Sequence, residues 1–572
     1  MNTSESLADL VAAEDVLLFV NAAITATGQR EFRSGVSGAM DQQLSLDFLH
    51  TYVRVNYRRV YAASLALDIN DHNAARIVLG LLESAGEAGA EERRVEGRLI
   101  AARLAVLPPQ RVYRLFGAVR RAGINNRRTR AIMRDWLAAR PDLGHDAVKY
   151  RSGVKTAARH VHLRCPPGAE PLAEVGAFLF RPGKLPRYAH PLLDAWRRAH
   201  YEQGAVAELP FTVAEGFAAR HGMKRAVFLE RAAPRMTRLE RLRTQEQRAV
   251  EGLGPDADLA VMPLTRLALY VLALPFERRV ARRAELTGAL RTAARRAAGG
   301  HAGSWGRVHA VLDDSFSSSG SGQKRRRPLA VALACHYLLE ALAAPGAYRG
   351  LWTSGRGDAL LVRPWGPTPL GMRILDALEP GPGGGEPDGS GGGEQDGPVG
   401  AGPGGTEPGG TEPDGTEPDG PSSAALGGPV DSEPDGPGGT DPDGPVGTTP
   451  DRPDSTDPDG PRSTAPDRLV IVSDGWDNAP AGLAGEVLRV WRQRLDPGRR
   501  TAVVHLNPVY DAGGFDVRRL TTGVPTAGIR DAEDLPALVE IARFAEGRTG
   551  AAELYAYLDR RVARFTGEGD GS

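Results

Sequence analysis

Three short segments of the sequence place oxygen-bearing side chains where apolar runs or turns end. In VHAVLDDSFS, residues Asp313, Ser315 and Ser317 form a D-x-S-x-S pattern directly after an apolar run. Asp474 ends the run LVIVSDG, and Thr368 lies in the loop WGPTPLG. Carboxylate and hydroxyl oxygens are the hard ligands that Mg²⁺ or Mn²⁺ prefers. The pattern therefore predicts one divalent-cation site assembled from these five residues.

Neighbouring residues fit the proposed set of cation ligands less well. Asp314 cannot start the same pattern, because Phe316 would stand where a serine is needed. Thr353, in the strand-like piece YRGLWTSG, is the weaker alternative to Thr368 as the threonine ligand. The sequence thus favours a site that begins at Asp313.

Two other interpretations of the same acids stay open. Without a metal, Asp313 or Ser315 would cap a helix and Asp474 would form an ordinary turn. The acidic pairs Asp313–Asp314 and Asp474–Asp477 would also suit metal-assisted hydrolysis. No G-x-x-x-x-G-K-[ST] loop and no G-x-S-x-G elbow occurs in the sequence, so we do not expect an enzyme.

The segments around the acids predict an α/β sheet. Strands are expected at VHAVLDDS, YRGLWTSG, DALLVRPWG, LVIVSDG and TAVVHLNPV, and helices at RPLAVALACHYLLEALA, TPLGMRILDALE, GLAGEVLRVWRQRL and DLPALVEIARFAEG. This alternation indicates an open, mostly parallel, Rossmann-like sheet with helices on both faces, formed by residues 305–380 and 468–572. Ligands of such sheets bind at the carboxyl ends of the strands, where the predicted cation ligands lie.

Residues 381–467 interrupt this α/β domain. They contain near-repeats of TEPDG and DPDG and almost no apolar residues. Such a composition cannot bury a core, so the segment is predicted to be a disordered acidic insertion. A true domain boundary is the alternative, but it would leave an incomplete sheet in front of it.

The insertion conceals the charge of the remaining chain. The whole sequence holds 71 Lys and Arg and 71 Asp and Glu, but residues 381–467 hold 19 acids and two bases. The rest therefore carries 69 bases and 52 acids, an excess of 17 positive charges. Such an excess favours an anionic partner, with nucleic acid as the first candidate, and the insertion would compete for the basic surface. The alternative is a GC-rich genome that enriches Arg and Ala.

Residues 1–300 are predicted to form a separate, all-α domain. Apolar residues recur at intervals of three and four in many segments of 10–20 residues, such as NAARIVLGLLESA and RTRAIMRDWLAARP. Many short helices with short connections indicate a HEAT-like helical repeat, although no clean sequence period is visible.

The strongest basic cluster of the helical domain predicts phosphate contacts. Lys155, Arg159 and His162 have the spacing i, i+4, i+7, which would place them on one helix face. A cationic face with a histidine suits RNA, and a solvated helix surface is the alternative. The candidate RNA-binding residues are Arg127, Arg128, Arg130, Lys149, Arg151, Lys155, Arg159 and His162.

Cysteine content and hydropathy predict the cellular compartment of the protein. Two cysteines, Cys165 and Cys335, cannot form a disulfide framework, and no run of about 18 apolar residues predicts a membrane span. The first residues lack the pattern of a secretory signal, so the expected location is cytoplasmic. His160, His162 and Cys165 lack a second ligand pair at zinc-finger spacing, so zinc is not expected.

The ordered segments DDSFS, GPTPLG and VSDG resemble the metal-ion-dependent adhesion site (MIDAS) of von Willebrand factor A (vWA) domains. The resemblance implies that Ser315, Ser317 and Thr368 contact the metal directly, and that Asp313 and Asp474 do so directly or through water. It also implies an open coordination position that accepts a carboxylate of a partner protein.

A basic helical domain before a MIDAS-type domain resembles the Ro autoantigen family, also called TROVE–vWA proteins. Its members are ring-shaped HEAT-repeat proteins that bind small non-coding RNAs and ends of misfolded RNAs. Their K-Y-R-x(n)-K-x-x-x-R-x-x-H stretch is similar to KYRSGVKTAARHVH, here with a gap about four residues shorter, and MPLTRLALYVLALP is similar to a second family motif. The resemblance implies RNA binding by the helical domain. A metal-dependent protein-interaction scaffold without RNA is the alternative.

Overall fold

The structure, a computed structural model, describes residues 3–27, 29–31, 39–163, 170–181, 185–254, 257–379, 465–535 and 551–567. The predicted acidic insertion lies outside the described residues except for its last three positions. Most of the predicted helix DLPALVEIARFAEG also lies outside them. Residues 1–379 and 465–572 form one compact unit.

The described residues among the first 300 are mainly helical, as the periodicity predicts, and the helices pack mainly on near neighbours in the sequence in a repeat-like arrangement. Helices α1 to α17 comprise Thr3–Thr25, Ala39–Asn56, Arg58–Ala63, Asp71–Glu83, Ala90–Val106, Pro109–Arg121, Arg127–Ala138, Leu143–Lys149, Arg151–His160, Glu170–Phe180, Pro191–Arg198, Phe211–Arg220, Arg225–Ala232, Arg238–Val250, Leu264–Ala273, Phe276–Ala281 and Arg283–Ala298.

Polar side chains set where several of these helices begin. Asn70, Asn126 and Asp142 each accept a hydrogen bond from the backbone N–H three residues further on, at the starts of α4, α7 and α8. At the start of α14, Thr237 and Glu240 form a reciprocal capping box. These caps satisfy N–H groups that the first turn of a helix leaves without partners.

A five-stranded parallel sheet follows the helical part. Its strands are ordered β2-β1-β3-β4-β7, and a separate two-stranded antiparallel sheet joins β5 to β6. Strands β1 to β7 comprise Val308–Leu312, Tyr348–Trp352, Arg468–Val472, Ala502–Asn507, Tyr510–Asp511, Asp516–Val517 and Thr526–Gly528. Helices α18 to α21 comprise Arg327–Leu342, Leu370–Leu378, Leu483–Arg494 and Ala551–Thr566. Strands from both sides of the predicted insertion therefore share one sheet.

Both faces of the sheet are covered, as predicted. One face packs with α18 into a large apolar core that continues through the helical part and includes Ala310 and Val470. The other face packs with α19 and α20 into a smaller core around Val311, Ile471 and Trp491. Alternation of Ala310 and Val311 between the two cores follows from the period of two along a strand.

Both ends of the helical part contact the sheet part. In α1, Asn21 donates to Asp516 at 3.1 Å and accepts from the backbone of Gly528 at 3.0 Å. At the other end, Thr265 in the MPLT segment donates to Glu533 at 2.7 Å and accepts from the backbone of Ala532 at 2.8 Å. Helices α1 and α15, far apart in the sequence, thus both contact β7 or the chain just after it.

One predicted strand is wrong. The segment DALLVRPWG forms a 3₁₀ turn at Ala359–Leu361 in place of a strand. Ala359, Leu360 and Val362 are buried, and the carbonyls of Leu360 and Val362 accept hydrogen bonds from the guanidinium of Arg279 at 3.2 and 3.0 Å. These carbonyls are therefore paired with a helix of the other part of the chain.

No helix among the described residues is long and apolar enough to span a membrane.

Candidate metal centre and basic helical surface

Neighbouring parallel strands bring the two predicted aspartates to one edge of the sheet. Leu312 at the end of β1 pairs in register with Val472 at the end of β3, and the next N–H, that of Asp313, donates to the Val472 carbonyl at 2.9 Å. From β1 the chain turns to β2 on one side, while β3 continues to β4 on the other. Asp313 and Asp474 therefore lie at the switch point of the sheet, where ligands of open α/β folds bind.

The D-x-S-x-S segment folds into a tight loop. The Asp313 carboxylate accepts from the Ser315 N–H at 2.8 Å, and the Ser315 and Ser317 hydroxyls lie 3.0 Å apart. Ser315 precedes a 3₁₀ turn but makes no capping bond with its side chain. Ser315 therefore occupies the N-cap position without capping the turn through its side chain, and its hydroxyl lies beside that of Ser317.

The loop of Thr368 is bonded to both aspartate loops. The backbone of Trp365 donates to the Asp314 carbonyl at 2.9 Å, and that of Phe316 donates to the Gly366 carbonyl at 3.0 Å. The backbone of Thr368, a buried residue, donates to the side chain of Asn478 at 2.8 Å. The three predicted segments thus form one connected assembly.

Asp314 has a different environment from Asp313. Its carboxylate accepts from the Thr353 hydroxyl at 2.9 Å and from the Ser354 backbone and hydroxyl at 2.8 and 2.6 Å. The Thr353 hydroxyl also lies 3.3 Å from the Asp313 carboxylate. Asp314 therefore anchors the end of β2, and Thr353 contacts both acids.

Asp474 keeps one carboxylate oxygen without a partner. Its Oδ1 accepts from the Trp476 N–H at 3.1 Å, as in an ordinary Asx turn, whereas Oδ2 is buried and has no hydrogen-bond partner among the described residues. Buried polar atoms are almost always paired, so an unpaired carboxylate oxygen calls for a cation or a water. This oxygen is the observation that separates the cation site from a simple turn.

Burial and mutual repulsion disfavour ionisation of both aspartates. Burial, and next the charge of Asp474, raise the pKa of Asp313 to about 7. Burial also raises the pKa of Asp474, against the lowering effects of Ser317 and Arg518. Two buried carboxylates with serine hydroxyls beside them form a donor set that suits Mg²⁺ or Mn²⁺. Groups of three or more His, Cys, Asp or Glu that could hold a metal are absent from the described residues.

Several residues around this site were not predicted. Ser473 is buried and bonds to His505 at 3.1 Å, and burial lowers the pKa of His505 to about 4, which keeps its ring neutral. The Arg518 guanidinium lies 3.8 Å from the centre of the Trp476 ring. The SDG and DN residues beside Asp474 could have indicated Ser473 and Asn478, but no local signal pointed to His505 or Arg518.

Two predicted RNA-binding residues come together at an exposed ring. Lys155 and Arg159 on α9 lie 5.8 and 5.4 Å from the centre of the Phe180 ring, which is 40% exposed at the end of α10. Neither the Lys155 ammonium nor the Arg159 guanidinium makes a hydrogen bond or an ion pair with a described residue. We call Lys155, Arg159 and Phe180 the α9 surface.

His162 does not extend this helix face, so the prediction of a shared face is wrong for it. Helix α9 ends at His160, and His162 adopts a left-handed backbone with φ of 51°. His160 bonds to the Ile124 carbonyl at 3.1 Å. Burial, and then the charges of Arg120 and Arg130, lower the pKa of His160. His162 and Arg127 are exposed.

Other predicted basic residues have partners within the fold. Arg128 on α7 donates to the Arg93 carbonyl at 2.8 Å and lies 3.6 Å from Glu96. Arg151 lies over the rings of Phe178 and Trp196 and donates to the Phe178 carbonyl at 3.1 Å. These two arginines are thus held by internal contacts.

Lys149 has a more open setting. It lies 4.0 Å from Glu240 and lines a cavity of about 680 Å³ together with Arg114 and Arg121. Lys149 therefore remains beside a basic cavity, although its charge is partly neutralised.

Cys165, the third residue of the zinc alternative, lies outside the described residues.

Comparison of the chain with models of protein families gives no match, and comparison with curated proteins gives none either.

Proposed function

We propose that the α/β part is a vWA-type domain that binds one divalent cation, within a Ro-like RNA-binding protein. The observation that carries the cation site is the buried Oδ2 of Asp474, which has no partner beside a second buried carboxylate, Asp313. A divalent cation would pair that oxygen and compensate the charge of both acids.

The donors for the cation come from the three segments of the assembly. Ser315 and Ser317 would bind through their hydroxyls, with Thr368 on the third loop, and Asp313 and Asp474 would bind directly or through water. Bound there, the cation would supply a Lewis-acidic position for a carboxylate of a partner. Phe316 and Trp365 beside the site are 65% and 57% exposed, which favours a protein surface as that partner.

Mg²⁺ affinity is expected to fall as the pH is lowered below about 7. Because the pKa of Asp313 is raised to about 7, the metal-free protein must release a proton from this group before the cation binds at lower pH. The affinity should fall by up to about tenfold per pH unit. Calorimetric titration with Mg²⁺ at pH 6 and pH 8 measures this, and an affinity that does not change between them would contradict the role of Asp313.

RNA binding is the function that the Ro-like resemblance implies for the helical part. The α9 surface supports it, because two cations without ion pairs flank an exposed aromatic ring on which a base could stack. The contacts of α1 and α15 with β7 and the chain after it bring distant helices to one region, which a ring-shaped protein would require.

The double variant Lys155→Ala/Arg159→Ala is expected to weaken binding of a short hairpin RNA with a single-stranded tail. Loss of two phosphate contacts should also reduce the slope of log affinity against log salt by roughly 1.5. Electrophoretic mobility shifts at several salt concentrations measure both quantities. Arg238→Ala/Arg243→Ala on α14 is the matched control, since it also removes two exposed positive charges. If both double variants weakened RNA binding equally, the loss of positive charge alone would explain the effect. If the protein purified free of RNA and shifted no small RNA, the proposal would be rejected.

A further inference from the structure

A cavity of about 500 Å³ lies where the helical part meets the segment before α18 and the chain after β7. Its lining shares no residue with the D-x-S-x-S loop or with the α9 surface. We call it the junction cavity. Its lining residues are Thr25, Thr27, Gln29, Asn70, Asp71, His72, Arg111, Arg266, Leu269, Gln323, Lys324, Arg325, Arg327, Pro508, Arg530 and Asp531.

Positive charge dominates the lining. Six of these side chains are Arg or Lys, whereas two are carboxylates, Asp71 and Asp531. Asp531 already accepts from Arg327 at 2.6 Å and from Arg530 at 2.7 Å. Its charge is therefore largely compensated by these two arginines; it also acts on Arg266, but the lining as a whole stays positive.

Three of the cations have no partner among the residues that the structure describes. Arg111, Arg266 and Arg325 make no side-chain hydrogen bond and no ion pair with any described residue, whereas Lys324 is paired with Glu31. They come from α6, from α15 and from the segment before α18, so the fold gathers unpaired guanidinium groups from distant parts of the sequence. Arg266 and Arg325 are exposed, so water screens their repulsion, but together with Arg111 they give the cavity a positive potential that attracts anions.

Two polar atoms at the cavity also lack partners. Thr27 Oγ1 and His72 Nε2 are buried and have no hydrogen-bond partner among the described residues. Burial, and then the charges of Arg76, Arg111 and Lys324, lower the pKa of His72 to about 4. The ring is therefore neutral at physiological pH and can donate a hydrogen bond from one nitrogen without adding charge.

We infer that the junction cavity binds a phosphate ester. Arginine forks match the oxygens of phosphate in pairs, and the unpaired Thr27 hydroxyl and His72 ring would supply neutral hydrogen bonds. The volume lies within the range of small-ligand pockets and is large enough for a nucleotide. Among the lining residues, Leu269 and Pro508 are the apolar ones. The cavity would therefore recognise the phosphate of a ligand and make few contacts with an apolar group. This site does not depend on the proposed cation or on the α9 surface.

Inorganic pyrophosphate is the probe for the first test, by calorimetric titration of the full chain at low salt. One site per chain is expected, and Arg266→Ala/Arg325→Ala should weaken it by about tenfold or more, because two charge-assisted contacts are lost. Both arginines are exposed and unpaired, so the fold should tolerate their removal. Arg238→Ala/Arg243→Ala, with the same loss of charge, should change the affinity by less than about twofold. Absence of pyrophosphate binding, or equal weakening in the two doubles, would overturn the inference.

Competition then separates the sources of the phosphate. Displacement of pyrophosphate by a 5′-phosphorylated dinucleotide would assign the site to nucleic-acid ends, and displacement by AMP alone would assign it to free nucleotides. Either result supports the inference. An unphosphorylated dinucleoside that competes as well as the phosphorylated one would overturn it, since a terminal phosphate would then not be the recognised group.

Discussion

The variant Asp313→Asn is expected to lose stabilisation by Mg²⁺ and, without metal, to be more stable than the wild type at pH 8. The amide keeps the oxygen that accepts from the Ser315 N–H but removes one of two buried carboxylates that repel each other. The free energy of unfolding without metal should rise by about 1 to 3 kcal/mol. Thermal unfolding with Mg²⁺ and with a chelator measures both effects.

The adjacent acid provides the matched control, because its environment is the opposite. Asp314 accepts three hydrogen bonds from Thr353 and Ser354, so Asp314→Asn should destabilise the protein by about 1 to 3 kcal/mol. Residual Mg²⁺ stabilisation is expected in this variant. If Asp313→Asn were destabilising to the same degree and still responded to Mg²⁺, Asp313 would be a structural acid and the cation site would be wrong.

Arg279→Met is expected to lower the free energy of unfolding by at least about 3 kcal/mol. The buried guanidinium donates to the carbonyls of Leu272, Leu274, Leu360 and Val362 at 2.8 to 3.2 Å, and thereby joins α15 and α16 to the 3₁₀ turn of the sheet part. Methionine would fill much of the volume but leave buried carbonyls without donors. Urea unfolding measures the loss.

Arg278→Met is the control for this variant, since Arg278 is the preceding residue and makes a partly exposed ion pair with Glu246. Its cost should stay below about 1 kcal/mol. Similar costs for the two variants would show that the carbonyl contacts of Arg279 do not hold the two parts together.

The sequence predicted the edge of the sheet well, because Asp313 directly follows the apolar end of β1 and Asp474 follows that of β3 after one residue. The ends of neighbouring parallel strands must then meet, whatever the length of chain between them. The unpaired Oδ2 of Asp474 could not be predicted, since it depends on where distant donors such as Arg518 and Ser317 come to lie.

Two failures elsewhere have a physical cause in long-range partners, and a third has a local one. The short apolar run at 359–362 is buried by its contact with Arg279, and an apolar run of that length does not distinguish a strand from a buried turn. Arg128 is held by Glu96, 32 positions earlier, so its charge alone could not show that it was already paired. His162 left the α9 face because the helix ended two residues before it, without a glycine to signal the end.

Electron paramagnetic resonance of Mn²⁺ added to the purified full chain tests the central claim most directly. The cation site predicts one bound Mn²⁺ per chain at pH 8, displaced by excess Mg²⁺ and lost in Asp474→Asn, with binding retained in Asp314→Asn, whose carboxylate oxygens are both paired in the fold. Spectra that show only free Mn²⁺ with the wild-type protein, or bound Mn²⁺ that persists in Asp474→Asn, would contradict it.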